Sequence, residues 1–396
     1  MSYHHFYKTL DQKARRLFPS LAELPKIDWD YLISPLEIRL PRSVLNNATA
    51  AIRALYKVSR LPGYGPLLEN SGAHAAANDS VLMAYDFHTN EAGECFLVEI
   101  NTNASGFLLS SLMHMAHAPE TDPDAFEPWR LMRAAFEREL HLTGRTLASP
   151  RVAITDEAIL QQKMYAEFLM YRDWFARYGW NAGLCESKAF SFDGRVLRDF
   201  SGREIDLVYN RLTDFYLEDP AHAALREALA AGAACVTPNP KEYWLLADKQ
   251  RLVQFTQPGF LEQTGAAADD IAAIRKVLIP TFEKSAFASE EDIWSERRSL
   301  FFKPKRSHGG KSVYRGESVS RKVFERLMSD GDILMQKFQP AQRMPSEDPR
   351  SVLSNWKFDL RFYVYADQVH MAVARAYQGQ VTNFSSPMGG FTFVGF

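Results

Sequence analysis

Apolar and polar positions change their period several times along this chain, and each change predicts a different kind of structure. The first 75 residues read mostly as helix and loop, with a strand-like piece at Leu36–Leu40 and a helix across Val44–Val58. VLMAYDF (81–87) and CFLVEIN (95–101) then read as two strands joined by the polar turn NEAGE. A helical segment follows from about Asp124 to Leu142, and LTGRTLASP marks a boundary. From Arg151 strand and helix alternate. RVAIT is a strand, Ala158–Tyr178 a long amphipathic helix, IDLVYNRL (205–212) a strand, Ala221–Ala231 a helix ending at Gly232, and ACVTPNP a strand leaving into a loop. That alternation predicts a small α/β unit with a parallel sheet. Residues 241–295 read as mainly helical, after which the strands LFFKP, ILMQKF, FDLRFYVYA and QVHMAVARAY lead into a glycine-rich tail. The whole is an α/β (α+β) pattern.

Composition narrows the class of protein. With 396 residues, two or three packed subdomains are expected. Hydrophobic residues at 46% and charged residues at 24% give the balance of a globular enzyme. A net charge of −2 argues against a nucleic acid or an acidic membrane as the main partner, so any basic cluster must be local. Cys95, Cys185 and Cys235 are far apart and odd in number, which excludes a zinc ribbon or disulfide framework and fits a reducing compartment. No apolar h-region opens the chain, and no run approaches the roughly 18 apolar residues of a membrane span. A soluble, cytoplasmic protein without membrane or nucleic-acid partners is therefore the expectation.

Four segments carry candidate chemistry. In LFFKPKRSHGGKSVYRG (300–316) an apolar strand delivers Lys303 to a loop containing Gly309 and Gly310. Glycines let backbone N–H groups approach phosphate oxygens, and Lys303, Lys305, Arg306 and Lys311 add positive charge. A P-loop is excluded, because it would need glycine at Lys305. The alternative is a solvated basic turn. In ILMQKFQPA (333–341), Gln336, Lys337 and Phe338 sit at a strand end whose backbone suits an adenine base. In FLVEINTNASG (96–106), Glu99 and Asn101 at i and i+2 share one strand face and offer two oxygens to a cation. A four-residue loop at Glu91–Glu94 would set Asp86 opposite Glu99, and two such carboxylates repel unless Mg²⁺ neutralises them. An ordinary amphipathic hairpin is the alternative. In WKFDLRFYVYADQVHMAVARAYQGQVTNFSSPMGGF (356–391), Asp359 and Arg361 share a face and Arg375 follows on the next strand. Arg375 is placed to stabilise charge growing in phosphoryl transfer, or else forms a cross-strand ion pair with Asp359. His114 and His117 lie one helical turn apart, but Leu112, Met113 and Met115 make packing the better reading.

Together these segments resemble the ATP-grasp superfamily. Phe302-Lys303-Pro304 with the Gly-Gly loop resembles its phosphate-covering loop. ADKQRLVQF (247–255) is similar to the helix that brings its other ATP-contacting lysine, here Lys249. DLRFYVYADQVHMAVARAYQGQVTNF resembles the D-x-R hairpin, catalytic arginine and downstream asparagine (here Asn383) of ligases such as the ribosomal-protein glutamate ligases. In those enzymes the D…E-x-N metal hairpin comes later. Here Asp86…Glu99-Ile100-Asn101 comes early, as a circular permutation implies. That order is similar to eukaryotic-type glutathione synthetases, whose early E-I-N-T strand is followed by an inserted α/β unit with a strand like DLVYNR (206–211). Those synthetases carry a glutamate where this chain has Ser307, which leaves metal ligation to Asp86, Glu99 and Asn101.

The resemblance implies a circularly permuted ATP-grasp fold with an inserted small α/β parallel-sheet domain. Residues 1–150 would form a helical region carrying the hairpin at 80–105, 151–240 the inserted substrate-side unit, and 241–396 the nucleotide-binding region. It implies ATP and Mg²⁺ as cofactors and small-molecule carboxylate and amine substrates joined through an acylphosphate, and it leaves room for a homodimer. Lys249, Lys303, Lys305, Gly309, Gly310, Lys311, Gln336, Lys337 and Phe338 would bind the nucleotide; Asp86, Glu99 and Asn101 the metal. Arg375 and Arg361 would be catalytic, with Arg361 also a candidate anchor for the acid; Arg211, Asn210 and Asn383 would meet substrate. An ATP-binding regulatory protein and a kinase for a hydroxyl are the rival readings.

Overall fold

The computed structural model describes residues 3–69, 76–118, 121–305, 313–344 and 355–396. Helix α1 (Tyr3–Leu17) precedes strand β1 (Ile33–Arg39) and helix α2 (Arg42–Ser59). The hairpin β2 (Met83–Thr89) and β3 (Cys95–Asn101) leads to helices α3 (Phe107–His117) and α4 (Glu127–Leu142). Then come β4 (Arg151–Asp156), α5 (Tyr165–Arg177), β5 (Asn181–Glu186), and the short pair β6 (Ser191–Phe192) and β7 (Leu197–Arg198). Strand β8 (Leu207–Asn210), α6 (Ala223–Ala230) and β9 (Cys235–Thr237) end the alternating stretch. Short helices and β10 (Thr281–Phe282) follow, then β11 (Leu300–Pro304), β12 (Tyr314–Arg315), β13 (Ile333–Lys337), β14 (Lys357–Tyr365), β15 (Gln368–Tyr377) and β16 (Gly390–Gly395). Among the described residues no helix is long and apolar enough to cross a membrane.

One six-stranded sheet, ordered β1-β16-β15-β14-β2-β3, unites the two ends of the chain. β1 lies parallel to β16, and β2 lies antiparallel to β14, so both early segments enter a sheet built otherwise from the last 40 residues. Period-two alternation then sorts the side chains. Tyr85, Phe87, Phe358, Leu360 and Phe362 pack towards α2 and its neighbours. Tyr363, Val373 and Phe391 pack against α1, α3, α4 and α5. A four-stranded antiparallel sheet, β10-β13-β11-β12, has its own core of Leu300, Phe302, Phe324 and Met335. The predicted parallel sheet is present as β5-β4-β8-β9.

The hairpin that places Asp86 differs from expectation in its turn. Gly93 N–H donates to Asn90 O at 3.1 Å and Asn90 N–H to Glu94 O at 3.2 Å, so the loop is three residues long, with Gly93 at φ +75. That register alone would set Asp86 opposite Val98. A bulge in β3 between the Asp86–Glu99 and Phe87–Leu97 pairs shifts it by one. Leu97 and Ile100 can then both face the core while Glu99 and Asn101 stay on the polar side.

Other expectations need correction. The predicted helix Ala158–Tyr178 begins only at Tyr165, after Ala158 at φ +43 and a single 3₁₀ turn. Strand β5 was not anticipated, nor was β16, which the glycine-rich tail forms once Gly390 turns at φ +106. Gly106 opens α3 at φ +98, and a Cβ there would lie 1.8 Å from the Phe391 ring. Gly106→Ala is therefore expected to cost about 2–3 kcal/mol from strain and overpacking. A melting temperature within 1 °C of the parent would contradict this.

Candidate active site

A cleft of about 510 Å³ opens between the six-stranded sheet, the second sheet and the start of α5. Its floor is the polar half of one sheet face. Asp86 and His88 come from β2, Glu99 and Asn101 from β3, Asp359 and Arg361 from β14, and Arg375 from β15. Lys303 and Gln336 enter from the second sheet, and Lys249 from just before the helix Gln250–Thr256. Residues more than 250 positions apart in sequence thus line one cavity. A larger surface groove of about 760 Å³, beside Tyr56, Arg60 and Gln368, holds none of the predicted site residues.

The floor is wired by alternating charge. Strand register sets Arg361 opposite Asp86 and Asp359 opposite Arg375. Arg361 Nε and Nη2 donate to Asp86 Oδ1 and Oδ2 at 2.8 and 2.7 Å. Arg375 Nη2 reaches Asp86 Oδ2 at 3.0 Å, and its Nε and Nη2 donate to Asp359 at 2.7 and 2.8 Å. Thr382 Oγ1 also donates to Asp359. Burial alone would push the Asp86 carboxyl up, but the two guanidiniums outweigh it and hold its pKa below the usual carboxylate value. The cross-strand Asp359–Arg375 pair is therefore formed, and it is largely shielded rather than superficial, with Asp359 buried and Arg375 partly so.

Asp86 was predicted as a metal ligand because two carboxylates would otherwise repel. The arginines supply that neutralisation instead. Glu99 and Asn101 remain on the cleft side, with Asn101 Nδ2 3.3 Å from Glu99 Oε1 and 3.2 Å from Asp86 Oδ2. Since amide orientation is a matter of assignment, turning the Asn101 amide would present its oxygen beside Glu99. Among the described residues no group of three or more His, Cys, Asp or Glu side chains could hold a metal. One carboxylate and one amide oxygen still fit Mg²⁺, which commonly takes one or two protein ligands, waters and substrate phosphates.

Lys303 is the central cation of the second sheet. Its ammonium donates to Gln336 Oε1 at 2.6 Å. Burial lowers its pKa to about 8; Glu99 and Asp86 oppose the shift, and neighbouring Lys249 adds to it. The Gln336 side chain bridges sheets rather than facing a base, since its Nε2 donates to Val98 O at 3.3 Å and Thr281 Oγ1 at 3.2 Å.

Several predicted contacts lie elsewhere. Lys305 turns to Glu283 at 2.7 Å, and the Lys337 ammonium to Glu296 at 2.9 Å, although Lys337 still borders the cleft. Phe338 packs on Phe301 and under Arg315, outside the cleft lining. Asn210 is buried, donating to Pro238 O at 3.2 Å and accepting from Leu212 N–H at 3.0 Å. Arg211 lies behind the wall: it bonds Ser105 Oγ and the Tyr209 hydroxyl and stands 3.8 Å from Glu167. Tyrosine and glutamate partners were hidden from a reading of DLVYNR alone. Asn383 borders the cleft but spends its amide on Gln378 O and Val381 O, at 2.7 and 3.0 Å, shaping the loop. Gly309, Gly310 and Lys311 lie outside the described residues.

His88 and Lys163 are among the lining residues that escaped the sequence reading. His88 was accessible, being i+2 from Asp86 on one strand; its Nδ1 meets Gln339 O at 2.7 Å, and burial lowers its pKa. Lys163 carried no signal, because it sits in the unforeseen break before α5, where it donates to Phe384 O. His114 and His117, both partly buried, pack around Phe393, in line with the packing reading.

No family model and no curated protein sequence matches the chain. Among solved structures, a glutathione synthetase-like effector from Globodera pallida, in its apo form, is similar with a TM-score of 0.55 at 11% identity, over 98% of this chain and 96% of that one. A provisionally assigned gamma-glutamylcysteine synthetase from Methylobacillus flagellatus KT reaches a TM-score of 0.44 at 12% identity, over 80% and 81%. The second likeness is too distant to carry an argument. The first concerns the fold alone: this chain has a mixed α/β, glutathione-synthetase-like fold.

The buried charge row makes a direct prediction. Asp86→Asn leaves two guanidiniums facing one carboxylate and should cost about 3–5 kcal/mol. Because Asp86 has a folded pKa below its unfolded value of about 3.9, its contribution is present above that value and lost as pH falls through the folded one. The parent should therefore approach the variant's stability in acid. Denaturation curves differing by under about 1 kcal/mol at pH 7 would contradict the assignment.

Proposed function

We propose that this protein is an ATP- and Mg²⁺-dependent carboxylate–amine ligase with a circularly permuted ATP-grasp fold. The observation that carries the reading is the single cleft shared by Glu99, Asn101, Lys249, Lys303, Arg361 and Arg375. On this reading residues 241–396 supply most of the nucleotide site, the hairpin within 1–150 the metal ligands, and the unit at 151–240 the substrate side. The cleft is lined by Lys163, Lys249, Lys303, Lys337, Arg361 and Arg375 against Asp86, Glu99 and Asp359. Cations in excess favour a polyanion in a protein whose net charge is −2.

Lys249 and Lys303 would hold the phosphates, and the backbone edge leaving β13 would receive the base. Glu99 and Asn101 would hold Mg²⁺, which when bound neutralises phosphate charge. The acid's carboxylate oxygen attacks the γ-phosphorus, the bond to the bridging oxygen breaks, and ADP leaves with its electron pair. An amine nitrogen then attacks the acyl carbon; the C–O bond to phosphate breaks, and the amine proton passes to solvent. Arg375 is fixed in advance: Asp86 and Asp359 engage its Nε and Nη2, and an arginine carries five N–H donors, so Nη1 can meet developing charge. The acid's body would rest against Met164, Thr213, Phe215 and Phe384.

Glu99→Gln should reduce ADP release, assayed with amino-acid and peptide mixtures, by about 100-fold or more. Undiminished turnover would remove the metal site from the reading. Inorganic phosphate released together with an amide identifies a ligase, whereas a stable phosphorylated product would identify a kinase.

Lys303 offers an independent check. With a pKa of about 8 it is half deprotonated at pH 8, and a polyphosphate beside it would raise that value. ATP binding should then take up roughly half a proton at pH 8 and almost none at pH 6. Calorimetry in buffers of different ionisation enthalpy measures this; equal uptake at both pH values would exclude Lys303 as a phosphate ligand.

A further inference from the structure

His88 lines the cleft but has no part in the reaction as written. It follows Asp86 by two positions on β2, so its ring rises from the same face as the charge row. Nδ1 lies 2.7 Å from the carbonyl oxygen of Gln339. A carbonyl can only accept, so Nδ1 carries the proton. Burial is the largest influence against a second proton on the ring, Lys303 and Arg375 add to it, and together they outweigh Asp359 and the Gln339 bond, which favour one. Nε2 is then an acceptor, and no described residue is hydrogen-bonded to it.

An acceptor there cannot receive a phosphate oxygen; it needs a donor from the ligand. A nucleotide has donors at the amino group of its base and at its ribose hydroxyls. Gln339 follows β13, whose departing backbone edge is the proposed base site, while Lys303 and Arg375 mark the phosphate side. Bonded to Gln339 and close enough to Lys303 and Arg375 to feel their charge, the imidazole would lie where a nucleotide's sugar passes from one side to the other. We propose that His88 is a ribose contact: Nδ1–H braces the Gln339 carbonyl, and Nε2 accepts from a ribose hydroxyl, so the site selects ribonucleotides. This rests on the nucleotide reading above.

The brace and the contact can be separated by substitution. In His88→Asn the side-chain amide can occupy the place of Nδ1 and keep the brace, but nothing reaches as far as Nε2. In His88→Gln the longer side chain can return an acceptor near Nε2 and loses the brace. Binding of ATP, 2′-deoxyATP and 3′-deoxyATP with Mg²⁺ is measured by calorimetry for the parent and both variants, after confirming parent-like melting without nucleotide. The parent should prefer ATP over one deoxy analogue by about 3–10-fold, the worth of one neutral hydrogen bond. His88→Asn should abolish that preference and His88→Gln should restore part of it. A parent that binds all three nucleotides equally, or a His88→Asn protein that keeps full discrimination, overturns the proposal while leaving the nucleotide reading standing. A parent that binds none of the three overturns both. Should His88→Asn not fold, the parent's own discrimination and its loss or retention in His88→Gln still decide.

Discussion

The carboxylate of Asp86, gripped by Arg361 and Arg375, is the interaction on which the site depends. It ties three strands of one sheet, β2, β14 and β15, and two parts of the chain separated by more than 270 residues. A buried arginine without a partner would cost several kcal/mol, so this arrangement tolerates only the register in which the acid lies between the two bases. The same register delivers Glu99, Asn101 and His88 to one face. Structural economy and site geometry therefore share a cause: the charges that could act on a ligand are oriented beforehand by the charges that hold the sheet together.

The second sheet is set against the first by a polar link. Gln336 accepts from Lys303 and donates to the backbone of β3, so the lysine, the bridging amide and the acidic strand form one chain of contacts. Burying an ammonium group there lowers its pKa, a cost that a bound anion would relieve. On the opposite wall, Glu167 accepts from the backbone N–H groups of Gly106 and Leu108 at the start of α3. Arg211 joins that carboxylate to Ser105. The parallel-sheet unit thus supports the cleft from behind. An arginine expected to meet substrate instead fixes the loop that lines the cavity.

Much of the architecture could be read from one-dimensional patterns because they are local. Alternation along VLMAYDF and CFLVEIN sets the faces of β2 and β3, and the strand–helix alternation after Arg151 foretold the parallel sheet. Where a single residue's backbone decides, the reading erred. Ala158 in a left-handed conformation breaks the expected long helix, and the resulting loop brings Lys163 to the cleft. The hairpin turn was assigned one residue too many, an error that the bulge at Val98 cancelled.

The sequence by itself determined which side chains share a strand face, because a period of two is a property of the extended backbone and needs no distant partner. It therefore placed Asp86, Glu99, Asn101, Asp359 and Arg361 as facing sets before any fold was known. Only the tertiary structure decided which of these charges answer one another, since ion pairing depends on which strands become neighbours. By that route Asp86 went to two arginines, Lys305 to Glu283 and Arg211 to a buried glutamate, and His88 came to stand in the cleft with them.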